Sequence, residues 1–138
     1  MRPLISIAAL ALALMVLGCG GGGGGGGVSP HAPVISNLQY TPTSAPASSG
    51  TTTITGTLDF NDIDGNISTF TLNINVQNGP QVSSTTLAIP NVSGVISGYF
   101  DISVLVNTSV PGNYTFGIHV TDSIGLQSNV ITRTFIVS

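Results

Sequence analysis

Three of the chain's five acidic residues fall within Asp59-Phe60-Asn61-Asp62-Ile63-Asp64-Gly65-Asn66, and an oxygen-rich stretch of this kind suits Ca²⁺, which takes roughly six to eight oxygen ligands. Asp62, Asp64 and Asn66 stand at alternate positions, as the first ligands of an EF-hand loop do. The match then fails where such a loop is most demanding. Its sixth position would be Ile67 instead of glycine, and the chain has no Glu to act as the bidentate ligand. A second reading needs no metal: Asp, Asn and an Asp-Gly pair give a hairpin its turn geometry and bond their own backbone. The turn reading is the stronger of the two, and calcium is kept as the alternative.

The remaining chemistry is sparse. His119 alternates with apolar residues and so points outward from a strand, while His31 lies in a Pro-flanked linker and is expected to be solvated. A lone outward histidine with no Glu and no nearby Cys does not make a zinc site. Ser, His and Asp are all present, yet no Gly-x-Ser-x-Gly elbow leads into a helix, so catalysis is not expected. Charged residues are 5% of the chain, with no Lys, and the basic ones are Arg2 and Arg133. That leaves no basic footprint for phosphates, and nucleic acid is not an expected partner.

Cys19, the chain's only cysteine, has no internal disulfide partner. It follows Met1-Arg2 and an apolar run from Leu4 to Leu17 in which Ser6 alone is polar. As a helix the run would span only about 21 Å, short of the ~30 Å hydrocarbon core, and it reads as the apolar region of a signal peptide. Its end, Val16-Leu17-Gly18-Cys19, resembles the lipobox of bacterial lipoproteins. The resemblance implies cleavage after Gly18, lipid on Cys19 and a mature chain that begins there. Membrane lipid is then a partner through acylated Cys19, since each buried CH₂ contributes ~0.8 kcal/mol. In that family Asp after the cysteine favours the inner membrane; Gly20 stands here, which implies the outer membrane of a Gram-negative host. Past the cleavage site Arg133 faces five aspartates, a formal charge of −4.

Gly20 to Gly27 are consecutive glycines, and Pro30 and Pro33 follow. A phosphate-cradling loop would need a preceding strand and a Gly-Lys-Ser/Thr ending, so the run is a tether. Glycine-rich chain scales as roughly 5–6 Å × √n, which holds the next domain some ~20 Å from the lipid.

From Val34 onward the period is two. Ile54-x-Gly56-x-Leu58-x-Phe60 and Phe70-x-Leu72-x-Ile74-x-Val76 alternate with Thr, Asp and Asn, and Phe100-x-Ile102-x-Val104-x-Val106 and Tyr114-x-Phe116-x-Ile118-x-Val120 form a third and a fourth set at the same spacing. Val34–Tyr40, Val82–Ile89 and Val130–Val137 complete seven strands, with turn residues between them. The expected fold is all-β: an Ig-like antiparallel sandwich over 34–138, after a signal peptide over 1–18 and a lipidated cysteine and tether over 19–33. Arg133 shares a parity with Ile131, Phe135 and Val137, which an edge position or a polar end would accommodate.

Pro111-Gly112-Asn113-Tyr114 through Val120-Thr121-Asp122-Ser123-Ile124-Gly125 resembles the last hairpin of PKD, cadherin-like and other bacterial Ig-like domains. The resemblance implies a tyrosine corner at Tyr114, with Phe116 where an antibody domain has its second cysteine. Gly65 and Gly125 are then turn residues. In a sandwich the Asp122 turn falls at the same end as Asp62 and Asp64, so Asp122 joins the calcium candidates.

Asn66, Asn91, Asn107 and Asn113 begin Asn-x-Ser/Thr triplets, which beside a bacterial lipobox read as polar strand faces. The expected function is a monomeric, non-catalytic envelope lipoprotein whose one Ig-like module binds or spaces. An envelope protein or polysaccharide is its expected partner. The alternative is a calcium-dependent adhesion or carbohydrate-binding module.

Overall fold

The computed structural model describes residues 10–13, 29–48, 50–89 and 92–138. Val16–Cys19, where a lipobox is expected, the Gly20–Gly27 run and Asn91 lie outside the described residues.

Among the described residues nine strands form two sheets: β1 (Leu10–Ala13), β2 (Val34–Thr41), β3 (Ser44–Ala45), β4 (Thr51–Asn61), β5 (Ile67–Val76), β6 (Gln81–Ala88), β7 (Ser97–Asn107), β8 (Gly112–Asp122) and β9 (Ile131–Val137). The first sheet has the order β1-β7-β4-β2 and the second β3-β9-β8-β5-β6. All pairings are antiparallel except the short β3–β9 contact, and the fold is an Ig-like β-sandwich. No helix among the described residues is long and apolar enough to cross a membrane.

The period-two pattern becomes a core through register. In the first sheet Ile54 stands opposite Val104, Gly56 opposite Ile102 and Leu58 opposite Phe100. In the second, Phe70, Leu72, Ile74 and Val76 stand opposite Val120, Ile118, Phe116 and Tyr114. Nearly all of these side chains are buried in one cluster, each contributing roughly 1.5–3 kcal/mol for full burial. Phe60 stacks on Phe100 with centroids 4.4 Å apart, and Tyr40 meets Phe116 edge-on at 5.1 Å. Gly56 interrupts the apolar set for a steric reason. A Cβ there would lie 2.2 Å from the Gln39 carbonyl, because β2 bulges between Ser36 and Gln39 with Asn37 at φ 51°.

Seven of the strands are those that alternation predicts, most of them longer; β1 and β3 are additional. Ser44–Ala45 is too short for a period to show. Leu10–Ala13, read from sequence as part of the leader's apolar run, is extended and pairs with β7, Leu10 opposite Val104 and Ala13 opposite Asp101. The pairing has a backbone cause. β7 bonds β4 along one side only, and its other side offers unpaired amides to any extended segment.

Two further expectations change. The Asp59–Asn66 segment is not a hairpin, since β4 and β5 belong to different sheets and the turn carries the chain from one to the other. Alternation on both sides of a turn is the same for a hairpin and a sheet-to-sheet crossing, so the pattern does not separate them. His31 is not merely solvated: its backbone N–H donates to Asp64 Oδ2 at 2.6 Å and its Nδ1 lies 3.7 Å from Oδ1. Arg133 is exposed at an edge, because β3 covers β9 only at Ile136 and Val137.

Candidate functional site

At the end of the sandwich where β4 hands over to β5, Asp62 is 1% exposed and both of its carboxylate oxygens accept backbone N–H groups. Oδ1 accepts from Asp64 at 3.2 Å and Oδ2 from Asn66 at 2.8 Å. The Asp62 carbonyl accepts from Gly65 N–H at 2.9 Å, with Gly65 at φ 61°. A left-handed residue with backbone packed over its Cβ position explains glycine there: the Gly94 backbone lies 3.1 Å from where a Cβ would sit.

The turn between β8 and β9 repeats the device. Asp122, 3% exposed, accepts from Ile124 N–H at 3.0 Å and Leu126 N–H at 2.7 Å on Oδ1, and its carbonyl accepts from Gly125 at 3.3 Å. Gly125 has φ 93°. Both segments are Asp-x-x-Gly turns in which the side chain bonds the amides two and four residues on. They adjoin, since Ser123 N–H donates to Asn66 O at 2.9 Å and Asp122 stands opposite Ile67. A third loop joins them where Gly94 N–H donates to Gly65 O at 2.7 Å and Asp62 N–H to Ile96 O at 2.7 Å.

Of the four candidate ligands, the fold thus gathers Asp62, Asn66 and Asp122 at one end, while the Asp64 carboxylate engages His31. Asp62 has committed both oxygens to its own turn. Two oxygens are left over: Asn66 Oδ1 and Asp122 Oδ2 are buried without a hydrogen-bond partner. A buried acceptor in that state calls for a water, an ion or a donor. Among the described residues no group of three or more His, Cys, Asp or Glu is arranged to hold a metal ion.

At the opposite end, the Tyr114 hydroxyl donates to the Val110 carbonyl at 2.9 Å and the ring is buried, the geometry of a tyrosine corner. Burial pushes the phenol up from its ordinary pKa, keeping it a neutral donor. Phe116 is likewise in the core. Sequence reasoning missed two other ties. Asn129 accepts from Ile35 N–H and donates to Ile35 O, both at 2.9 Å, clamping the start of β2 to the loop before β9. The Tyr40 hydroxyl crosses to Thr134 O at 2.8 Å. Neither has a sequence signal, because an Asn in a loop and a Tyr in a strand carry no mark of a partner 94 residues away.

His119, opposite Thr71, is partly buried, and desolvation lowers its pKa from the ordinary value. Folding therefore favours the neutral ring. That stability is complete above the unfolded value of about 6.5 and is lost as pH falls through the lower folded value. The melting temperature is expected to fall more between pH 7.5 and 5.5 in the natural chain than in His119→Gln, as thermal scans at the two pH values will show.

A cavity of about 30 Å³ between the sheets, lined by residues such as Leu38, Ile54, Leu72 and Phe135, has room for nothing larger than a water-sized molecule. An open depression along the first sheet, lined by Gln39, Tyr40, Thr41, Thr55, Thr57 and Asp101, mixes apolar surface with hydrogen-bonding groups and encloses nothing.

No protein-family model and no curated protein matches the sequence. Solved structures do match. The PKD domain of an M14-like peptidase from a Thermoplasmatales archaeon is 18% identical with a TM-score of 0.52, the match covering 79% of this chain and 98% of that one. Astrotactin-2, a vertebrate-specific perforin-like membrane protein, matches at 18% identity and a TM-score of 0.48, over 76% of this chain and 22% of its own. A family 76 glycoside hydrolase from a bovine Bacteroides thetaiotaomicron strain matches at 15% identity and a TM-score of 0.43, over 77% of this chain and 20% of its own. At such identities likeness speaks to the fold alone, and the first of these supports a PKD-like Ig sandwich.

Proposed function

We propose that this chain is a cell-envelope lipoprotein: a lipid anchor on Cys19, a glycine tether, and one non-catalytic PKD-like Ig module that binds or spaces. The observation that carries the reading is the sole cysteine, set after an apolar run too short to span a bilayer and before eight consecutive glycines and a sandwich. The use of the aspartates supports the non-catalytic part. Asp62 and Asp122 hold turns and Asp64 receives the end of the tether.

The attachment also orients the module. β2 begins at Val34 opposite Asn61, so the tether enters at the Asp62/Asp122 end. The loops around Asn78, Ser109 and Ser48 lie at the far end, away from the lipid, and are the surface offered to an envelope protein or polysaccharide. Gly20 after Cys19 supports the outer membrane in a Gram-negative host. Fractionation tests the whole reading: the protein should sediment with membranes, resist high salt and be released by detergent, whereas recovery in the soluble fraction contradicts it.

A calcium-dependent adhesion or carbohydrate-binding module is the second reading, favoured by the orphaned Asn66 Oδ1 and Asp122 Oδ2. A site with an extracellular-type Kd of ~10⁻⁴–10⁻³ M would add about 1.4–2.7 kcal/mol at ~10 mM Ca²⁺. The expected result is no rise in melting temperature beyond that given by Mg²⁺, because both Asp62 oxygens already accept backbone N–H groups of their own turn and Asp64 Oδ2 accepts from His31. A Ca²⁺-selective rise that vanishes in Asp122→Asn would put the second reading first.

A further inference from the structure

The edges of the two sheets are not equally protected. β2 is interrupted by its bulge at Asn37, and β3 is only two residues long. β6 is rich in Ser and Thr, with half of its positions exposed. β7 differs from all three. It is eleven residues long, pairs continuously with β4 from Ser97 opposite Asn61 to Asn107 opposite Thr51, and has no Pro, Lys or bulge. These are the devices that discourage strand addition, and Asp101 is the only charge on the strand.

On its outer side β7 carries β1, and only over Asp101–Val104. The register shows what that edge accepts. Leu10 and Leu12 stand opposite Val104 and Ile102, which are buried core residues, while Ala11 and Ala13 stand opposite Ser103 and Asp101. The seated segment is apolar and small in alternation, uncharged, and antiparallel. Under the proposed processing at Cys19, on which this inference rests, residues 10–13 leave with the leader and the edge opens.

We infer that the outer edge of β7 in the processed protein is a strand-addition site for an extended segment of a partner protein. That segment runs antiparallel, with apolar residues opposite Ile102 and Val104 and small uncharged residues opposite Asp101 and Ser103. Main-chain bonds supply the affinity, and the alternating positions supply the selectivity. Acidic segments are rejected by Asp101, and the leader of the precursor occupies the same edge until it is removed.

The test uses the processed protein purified from membranes in detergent, with the synthetic peptide Ser-Gly-Leu-Ala-Leu-Ala-Gly-Ser as probe and a peptide with Asp in place of both Leu residues as control. Amide hydrogen exchange is followed along the chain, and the intact mass of the same sample reports its N-terminus. The expected result is exchange slowed by about tenfold or more at β7 amides that face away from β4, with β6 unchanged and no effect of the Asp peptide. Three outcomes overturn the site in a processed sample: no slowing at saturating peptide, slowing at β6 instead, or β7 already protected by a second copy before peptide is added. A mass that still includes residues 10–13 sinks the processing reading, and the open edge with it.

Discussion

Tyr114→Ala should unfold the domain at ordinary temperature or lower its melting temperature by tens of degrees. The ring is buried opposite Val76 on one side and Phe135 on the other, and its hydroxyl holds the Val110 carbonyl at 2.9 Å. Truncating a buried aromatic costs about 3–5 kcal/mol, against a total stability of ~5–15 kcal/mol for a domain. At ~4–8 °C per kcal/mol for a domain near this size, that is a fall of roughly 12–40 °C. Tyr114→Phe separates the two contributions. It keeps the ring and removes the donor, so it should cost about 1–3 kcal/mol by leaving the Val110 carbonyl short of a partner. Urea unfolding of the full chain in detergent measures both variants. A change near zero for Tyr114→Ala would show that the corner carries no stability.

Cys19→Ser should abolish lipid labelling and leave the precursor uncut at Gly18. Serine differs from cysteine in one atom, so the apolar run from Leu4 to Leu17 is intact and targeting proceeds as before. What disappears is the thiol to which the proposed lipid would be joined. The effect on membrane retention is large because acyl chains contribute ~0.8 kcal/mol per buried CH₂, whereas an uncut leader holds the chain by one short apolar segment. Fatty-acid labelling and gel mobility check the two parts separately. Continued labelling of the variant would remove Cys19 from its role.

Much of the architecture was legible because a half-buried strand has only one way to read. Phe100, Ile102, Val104 and Val106 recur at every second position, and the same four are buried in β7. What alternation does not carry is which strand pairs with which. The segment around Asp62 looked like a hairpin turn and is a crossing between sheets, since an Asp-Gly turn satisfies its own backbone equally well in either setting. Gly56 was readable as part of a strand but not as the place where the Gln39 carbonyl comes close, because the bulge belongs to the neighbouring strand.

The nearness of the two Asp-x-x-Gly turns was legible, and the use of their oxygens was not. Asp62, Asn66 and Asp122 do meet at one end, as two turns of a sandwich must. Which oxygens are spent on backbone and which are orphaned depends on turn geometry at the level of single amides. His31 illustrates the same limit, for a histidine between two prolines carries no sign that a carboxylate 33 residues on will receive it. Leu10–Ala13 is legible as apolar, and its extended pairing follows from an open edge far along the chain.

The intact mass of the protein extracted from membranes bears most directly on the central claim of a lipid-anchored sandwich. The expected species begins at Cys19 and exceeds the polypeptide mass of residues 19–138 by a lipid modification that maps to the N-terminal peptide. A chain that retains Met1 to Gly18, or one that begins at Cys19 with no added mass, would contradict it.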